Sequence, residues 1–173
     1  MASEEKVLAA IDSQGRGLRV VFAWTGDRWG HAIEWVDGER TVAVWRSVEG
    51  SAQDDWPASP ALQDLSLEQL PDGRKVIFLV GKAGSSHWSA SVETVADPPQ
   101  LIFDIACRHG ATGQLGSQYE RIVASPPCLF AKSDLASTRV RCEASAVFLS
   151  PERVSSGKAL QTTRWKYIST LIK

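Results

Sequence analysis

Apolar residues in this chain recur at every second position, in short runs that end at glycine, proline or aspartate. That period constrains the fold more than any other feature. Leu18, Val20, Phe22 and Trp24 alternate with Arg19, Val21, Ala23 and Thr25. Both sets are largely apolar, so the run reads as an interior strand covered on both faces. His31, Ile33 and Trp35 share a face in the next run, Asp37-Gly38 supplies residues that tolerate positive φ, and Thr41 to Val48 continues as a third strand. The last two runs form a hairpin. Four of the seven tryptophans, Trp24, Trp29, Trp35 and Trp45, fall within this stretch. An indole is costly to expose and has one polar handle, so such a cluster marks a packed core or an aromatic-lined binding surface.

The pattern continues along the chain. Glu49 to Ser59 holds Asp54-Asp55 and Pro57 and reads as an irregular surface loop around Trp56. Leu65 to Leu70, the turn Pro71-Asp72-Gly73, and Lys75 to Val80 read as a second hairpin. Gly81 to Ser86 reverses the chain into His87 to Val95, Asp97-Pro98-Pro99 ends that strand, and Leu101 to Arg108 begins the next. Val140, Cys142, Ala144, Ala146 and Phe148 alternate with Arg139, Arg141, Glu143 and Ser145, which predicts one strand with a buried and a wet face. Trp165 to Ile172 closes the chain as a last strand. Lys6 to Ile11 fits a strand, and Glu4 to Ile11 fits a short helix about as well. Gly110 to Lys132 has no clear pattern: Gly110, Gly113 and Gly116 argue for a loop before a weak strand at Gln118 to Val123.

Residues 1–173 are therefore read as one all-β domain of about eight to ten antiparallel strands, joined mainly by hairpins, with little helix. Such a set hides its edges by closing into a barrel or by packing as two sheets. Sequential hairpins favour the barrel. A barrel of this strand number is filled by side chains or holds one small ligand.

Composition narrows the function classes. A hydrophobic share of 43% and a charged share of 23% are ordinary for a folded domain. No apolar run approaches the ~20 residues that span a bilayer, and the acidic start MASEEKVLAAID lacks the basic end and apolar stretch of a signal peptide, so a cytoplasmic location is expected. Three cysteines with no CxxC doublet argue for free thiols. Residues 1–99 carry 9 basic and 15 acidic groups, −6, and residues 100–173 carry 10 and 5, +5. That asymmetry favours contact between halves or between subunits over a nucleic-acid footprint, which needs a denser basic stripe.

Motifs that carry chemistry are absent: HExxH, GxxxxGK[ST] and GxSxG do not occur. No cofactor is expected. Gly81 to Ser86 superficially resembles a phosphate loop, but a strand follows instead of a helix N-terminus. Cys107 and His109 share one side of a strand and offer two ligands to a soft metal, with Cys128, Cys142, His31 or His87 needed to complete a set. Buried cysteine is also common for packing alone. His87, Ser89, Ser91 and Glu93 share a face that reads as solvated.

Three functional readings remain. The first is a binding protein with an apolar or aromatic-stacking ligand, held inside the barrel by Phe22, Trp24, Trp35 and Trp45. Arg139 and Arg141 would bind a carboxylate or phosphate, unless the apolar set fills the interior and leaves them outside. The second is an interaction or homo-oligomeric domain that uses Trp29, Trp56 or Trp88. The third is an enzyme built on the histidines and Cys107, which requires them to converge.

Overall fold

The computed structural model describes residues 5–110, 113–133, 138–154 and 159–172. They form thirteen strands and no helix. Numbered along the chain, a seven-stranded sheet runs β1 (Glu5–Ile11), β2 (Arg16–Trp24), β3 (Trp29–Asp37), β4 (Arg40–Ser47), β9 (Ser117–Arg121), β12 (Ala146–Pro151) and β11 (Thr138–Cys142). The second sheet has six strands, in the order β10 (Cys128–Lys132), β13 (Gln161–Leu171), β8 (Pro99–His109), β7 (Ser86–Ala96), β6 (Lys75–Ala83) and β5 (Asp64–Gln69). Neighbours are antiparallel throughout.

The first half follows the period of two closely. Asp37-Gly38 turns β3 into β4, with Gly38 at φ 60°, a conformation that most side chains disfavour. Pro71-Asp72-Gly73 joins β5 to β6, and the Asp72 carboxylate accepts from the Arg74 amide at 3.0 Å. β2 lies between β1 and β3, and of its two faces Leu18, Val20 and Phe22 are buried in the core while Arg19, Val21 and Ala23 on the outer face are half-buried, so the strand is not covered on both faces. The amino-terminal run is strand and not helix, because β1 pairs with β2 along its whole length. Glu4 lies outside the described residues.

The barrel expectation is corrected to a sandwich. β1 and β11 are open edges of one sheet, and β5 and β10 of the other. The chain changes sheet five times, at β4–β5, β8–β9, β9–β10, β10–β11 and β12–β13, so its strands cannot pair in sequence around a closed ring. The single strand expected from Val140 to Phe148 is a hairpin, β11 with β12, turning at 143–145. The alternation changes phase across the turn: Val140 and Cys142 share a face with Val147 and Leu149, and Phe148, expected on that face, lies on the other one with Arg139 and Arg141. β10 lies in the stretch without a clear sequence pattern, because Pro126 and Pro127 precede a run of only five residues.

One hydrophobic cluster fills the space between the sheets. Leu18, Val20, Phe22 and Ile33 meet Leu101, Phe103, Ile105 and Tyr167 across it. The segment from Val48 to Gln63 closes one end: Leu62 accepts from the Trp29 amide at 2.8 Å, and the Gln63 amide donates to Val80 at 2.9 Å.

Candidate functional site

Sequence alternation on β11 and β12 places Arg139, Arg141, Phe148 and Ser150 on one face, with Arg139 opposite Ser150 and Arg141 opposite Phe148. That face looks outward, since Val147 and Leu149 between them are buried. A second wall comes from Trp56-Pro57-Ala58 of the closing loop, and a floor from residues 113–118. Together they enclose a cleft of about 490 Å³. That size suits a small ligand.

Each wall is fixed by specific contacts. The Trp56 indole meets His109 edge-on at 6.0 Å, and His109 in turn reaches Thr163 Oγ1 at 2.9 Å. Trp56 also lies flat against Gly113, where an added Cβ would sit 2.0 Å from the ring. Ser59 Oγ ties the loop to β9, accepting from the Gln118 amide at 3.1 Å and donating to its carbonyl at 3.2 Å. Across the cleft, the Arg141 guanidinium lies 4.1 Å from the Phe148 ring centroid, and its Nη1 is 2.9 Å from Glu143. Arg139 has no carboxylate at ion-pairing distance among the described residues. The cleft therefore presents two aromatic surfaces and two guanidinium groups.

The four aromatic residues expected to line an interior pocket are dispersed. Phe22 is buried in the core, Trp24 is 40% exposed at the end of β2, Trp35 is half-buried beneath Arg40, and Trp45 packs on Phe130 at 5.4 Å. Of the proposed interface tryptophans, Trp88 is buried edge-on to Trp165, and Trp29 and Trp56 are half-buried. Only Arg139 and Arg141, among the residues singled out as ligand-binding, meet at one cleft. Trp56 joins them there through the loop fold, which strand parity does not encode.

Cys107 and His109 are buried, and burial pushes the Cys107 thiol up to about 12. No group of three or more His, Cys, Asp or Glu is arranged to hold a metal among the described residues. His31 lies in the core, His87 is exposed on the outer face of β7, and His109 ends β8. Among the described residues, no helix is long and apolar enough to cross a membrane.

A second polar cluster, unmarked by any motif, lies inside the sandwich. His31 Nε2 is 2.7 Å from the Tyr119 hydroxyl, which is 2.8 Å from that of Tyr167. The His31 ring is enclosed by Phe22, Phe103 and Tyr119, and burial lowers its pKa to about 3. Glu49, at the root of the closing loop, is raised to about 7 by burial, against the opposing pull of the Ser47 hydroxyl and the Arg28 charge. Arg28 is buried and donates through Nε and Nη2 to Asp27 at 3.1 and 2.7 Å. Glu49 Oε2 and Arg28 Nη1 are buried without hydrogen-bond partners among the described residues. The void beside Glu49 and His31 measures about 20 Å³, room for about one water. It has no room for a substrate.

No protein-family model, no curated protein and no solved structure matches this chain.

Proposed function

We propose that this chain is a cytoplasmic, non-catalytic binding protein that holds a small ligand with a flat apolar body between Trp56 and Phe148. The observation that carries the reading is the convergence of these two rings on one 490 Å³ cleft. Aromatic faces bind flat groups at low entropic cost because the rings are already immobilised. The ligand lies outside the core, whose interior is taken up by side chains. Cys107, Cys128 and Cys142 as free thiols suit a reducing compartment.

The test is a titration of isotope-labelled protein with small aromatic compounds, neutral and charged, followed through the indole N–H signals. The expected result is a saturable shift confined to Trp56 and the backbone of residues 113–118 and 148–150, abolished in Trp56→Leu. Shifts elsewhere, or none with any compound, reject the cleft as the site.

A second reading, an interaction domain that pairs with its own copy, draws on Phe78 and Val80. They are 43% and 51% exposed on the outer face of β6, beside the small residues Ser89, Ser91 and Ala106. Two exposed apolar side chains bordered by small residues and by the Asp104–Arg164 ion pair suit a sheet-to-sheet contact. Sedimentation of the wild type and Phe78→Glu tests it, with a dimer that the variant abolishes as the expected result.

A further inference from the structure

We infer that the cleft takes an aromatic oxyanion, a ring bearing a carboxylate or a phosphate, an inference that rests on reading the cleft as a ligand site. Among the described residues sixteen line it, and of these Arg139 and Arg141 alone have ionisable side chains. They sit two positions apart on an edge strand, so their Cα atoms are separated by about 7 Å and their side chains leave from one face. A single oxyanion positioned between the two guanidinium groups is within reach of both.

The two arginines differ in how they are held. Arg141 is oriented by stacking over Phe148 and by Glu143, which engages Nη1 and leaves its remaining donors for a second acceptor. Among the described residues no carboxylate engages Arg139: the nearby Glu152 is bound to Lys132 at 3.0 Å. The positive charge on this half of the chain is also not cancelled by the acidic first half. Among the ion pairs of the described residues, Arg46–Glu120 alone joins the two halves, and there the acid comes from the second half. Guanidinium forks favour planar oxyanions over neutral polar groups, and the adjacent rings of Phe148 and Trp56 supply a surface for a planar body. The Gln118 and Ser150 side chains complete a neutral polar lining that does not compete for the charge.

The experiment compares phenyl phosphate, benzoate, benzyl alcohol and inorganic phosphate in the same titration, with the wild type, Arg139→Gln, Arg141→Gln and the double variant. Both arginines are exposed, so the variants keep the fold. Phenyl phosphate and benzoate are expected to bind at least about tenfold more tightly than benzyl alcohol, as a charge-assisted hydrogen bond provides. Each single variant is expected to lose about fivefold or more for the two anions and nothing for the alcohol, and added salt should weaken only the anions. Inorganic phosphate should bind more weakly than phenyl phosphate. Equal affinity for phenyl phosphate and benzyl alcohol overturns the oxyanion assignment and leaves the cleft reading standing, as does full affinity in the double variant. Equal affinity for the two phosphates removes the ring from the assignment. If none of the four shifts the Trp56 signal, the cleft reading itself falls.

Discussion

Glu49 is the residue whose surroundings conflict most with its chemistry. Desolvation raises its pKa from 4.5 to about 7, so the folded state favours the protonated form. Below the unfolded pKa, both states are protonated and the group has no net effect. As pH rises from 4.5 towards 7 the unfolded chain releases the proton first, and stability falls until both states are ionised. The difference between pH 5 and pH 8 amounts to about 2 to 3 kcal/mol, from ~1.4 kcal/mol per pK unit. Glu49→Gln should therefore stabilise the protein at pH 8 by about that much more than at pH 5, as read by urea unfolding at each pH. An equal effect at both values would show that Glu49 is already paired when ionised. Tyr119 sits at the middle of the hydroxyl chain and serves both His31 and Tyr167. Tyr119→Phe takes a partner from His31 and from Tyr167, Tyr167→Phe takes one from Tyr119 and from Ser117, and each should cost about 1 to 3 kcal/mol. Thermal unfolding of the two variants measures both costs directly.

At the scale of elements, the closing loop from Val48 to Gln63 joins the interior to the cleft. It begins at Glu49, reaches Trp56, and returns through Ser59 and Leu62 to β9 and β3. Its position depends on close approach at Gly113, so Gly113→Ala should drive the Trp56 ring from its seat. The expected signature is a red-shifted tryptophan emission and a weakened near-ultraviolet dichroism, with the sheet signal unchanged; an unaltered emission spectrum would refute it. The strands of the first half were legible because each hairpin carries its own turn chemistry, Asp37-Gly38 and Pro71-Asp72-Gly73 among them. β9 to β12 were less so. Their connections change sheet, and the 143–145 turn contains no glycine or proline to break the alternation from Val140 to Phe148. Arg139 and Arg141 could be read as a same-face pair from spacing alone, whereas Trp56 reaches them through a loop and Glu49 becomes buried only when that loop closes. Neither position has a local signal.

The molecule as a whole is held by contacts that no single strand supplies. Phe103 of β8 stacks on His31 of β3 at 5.6 Å and on Tyr167 of β13 at 5.0 Å, so one ring links the facing sheets. Val147 and Leu149 pack inward from β12 in the same cluster, which anchors the outer face that bears Phe148. The integrity of this interior has a direct chemical reporter. Cys107 and Cys128 are buried, with thiols raised to about 12 and about 11 by desolvation, whereas Cys142 is exposed on the edge strand β11. Alkylation requires the thiolate and access to it. Under native conditions a thiol reagent should therefore modify one cysteine, Cys142, and in strong denaturant all three. Because Cys107 faces the core from β8 and Cys128 from β10, both need the sheets to separate before they react. Their labelling should accelerate together as denaturant approaches the unfolding midpoint, and Phe103→Ala should lower the stability by about 3 to 5 kcal/mol and so bring that midpoint to a lower denaturant concentration. Separate labelling of Cys128 well below the midpoint, followed by mass spectrometry, would reveal that the edge strand β10 opens independently and that the sandwich does not unfold as one unit.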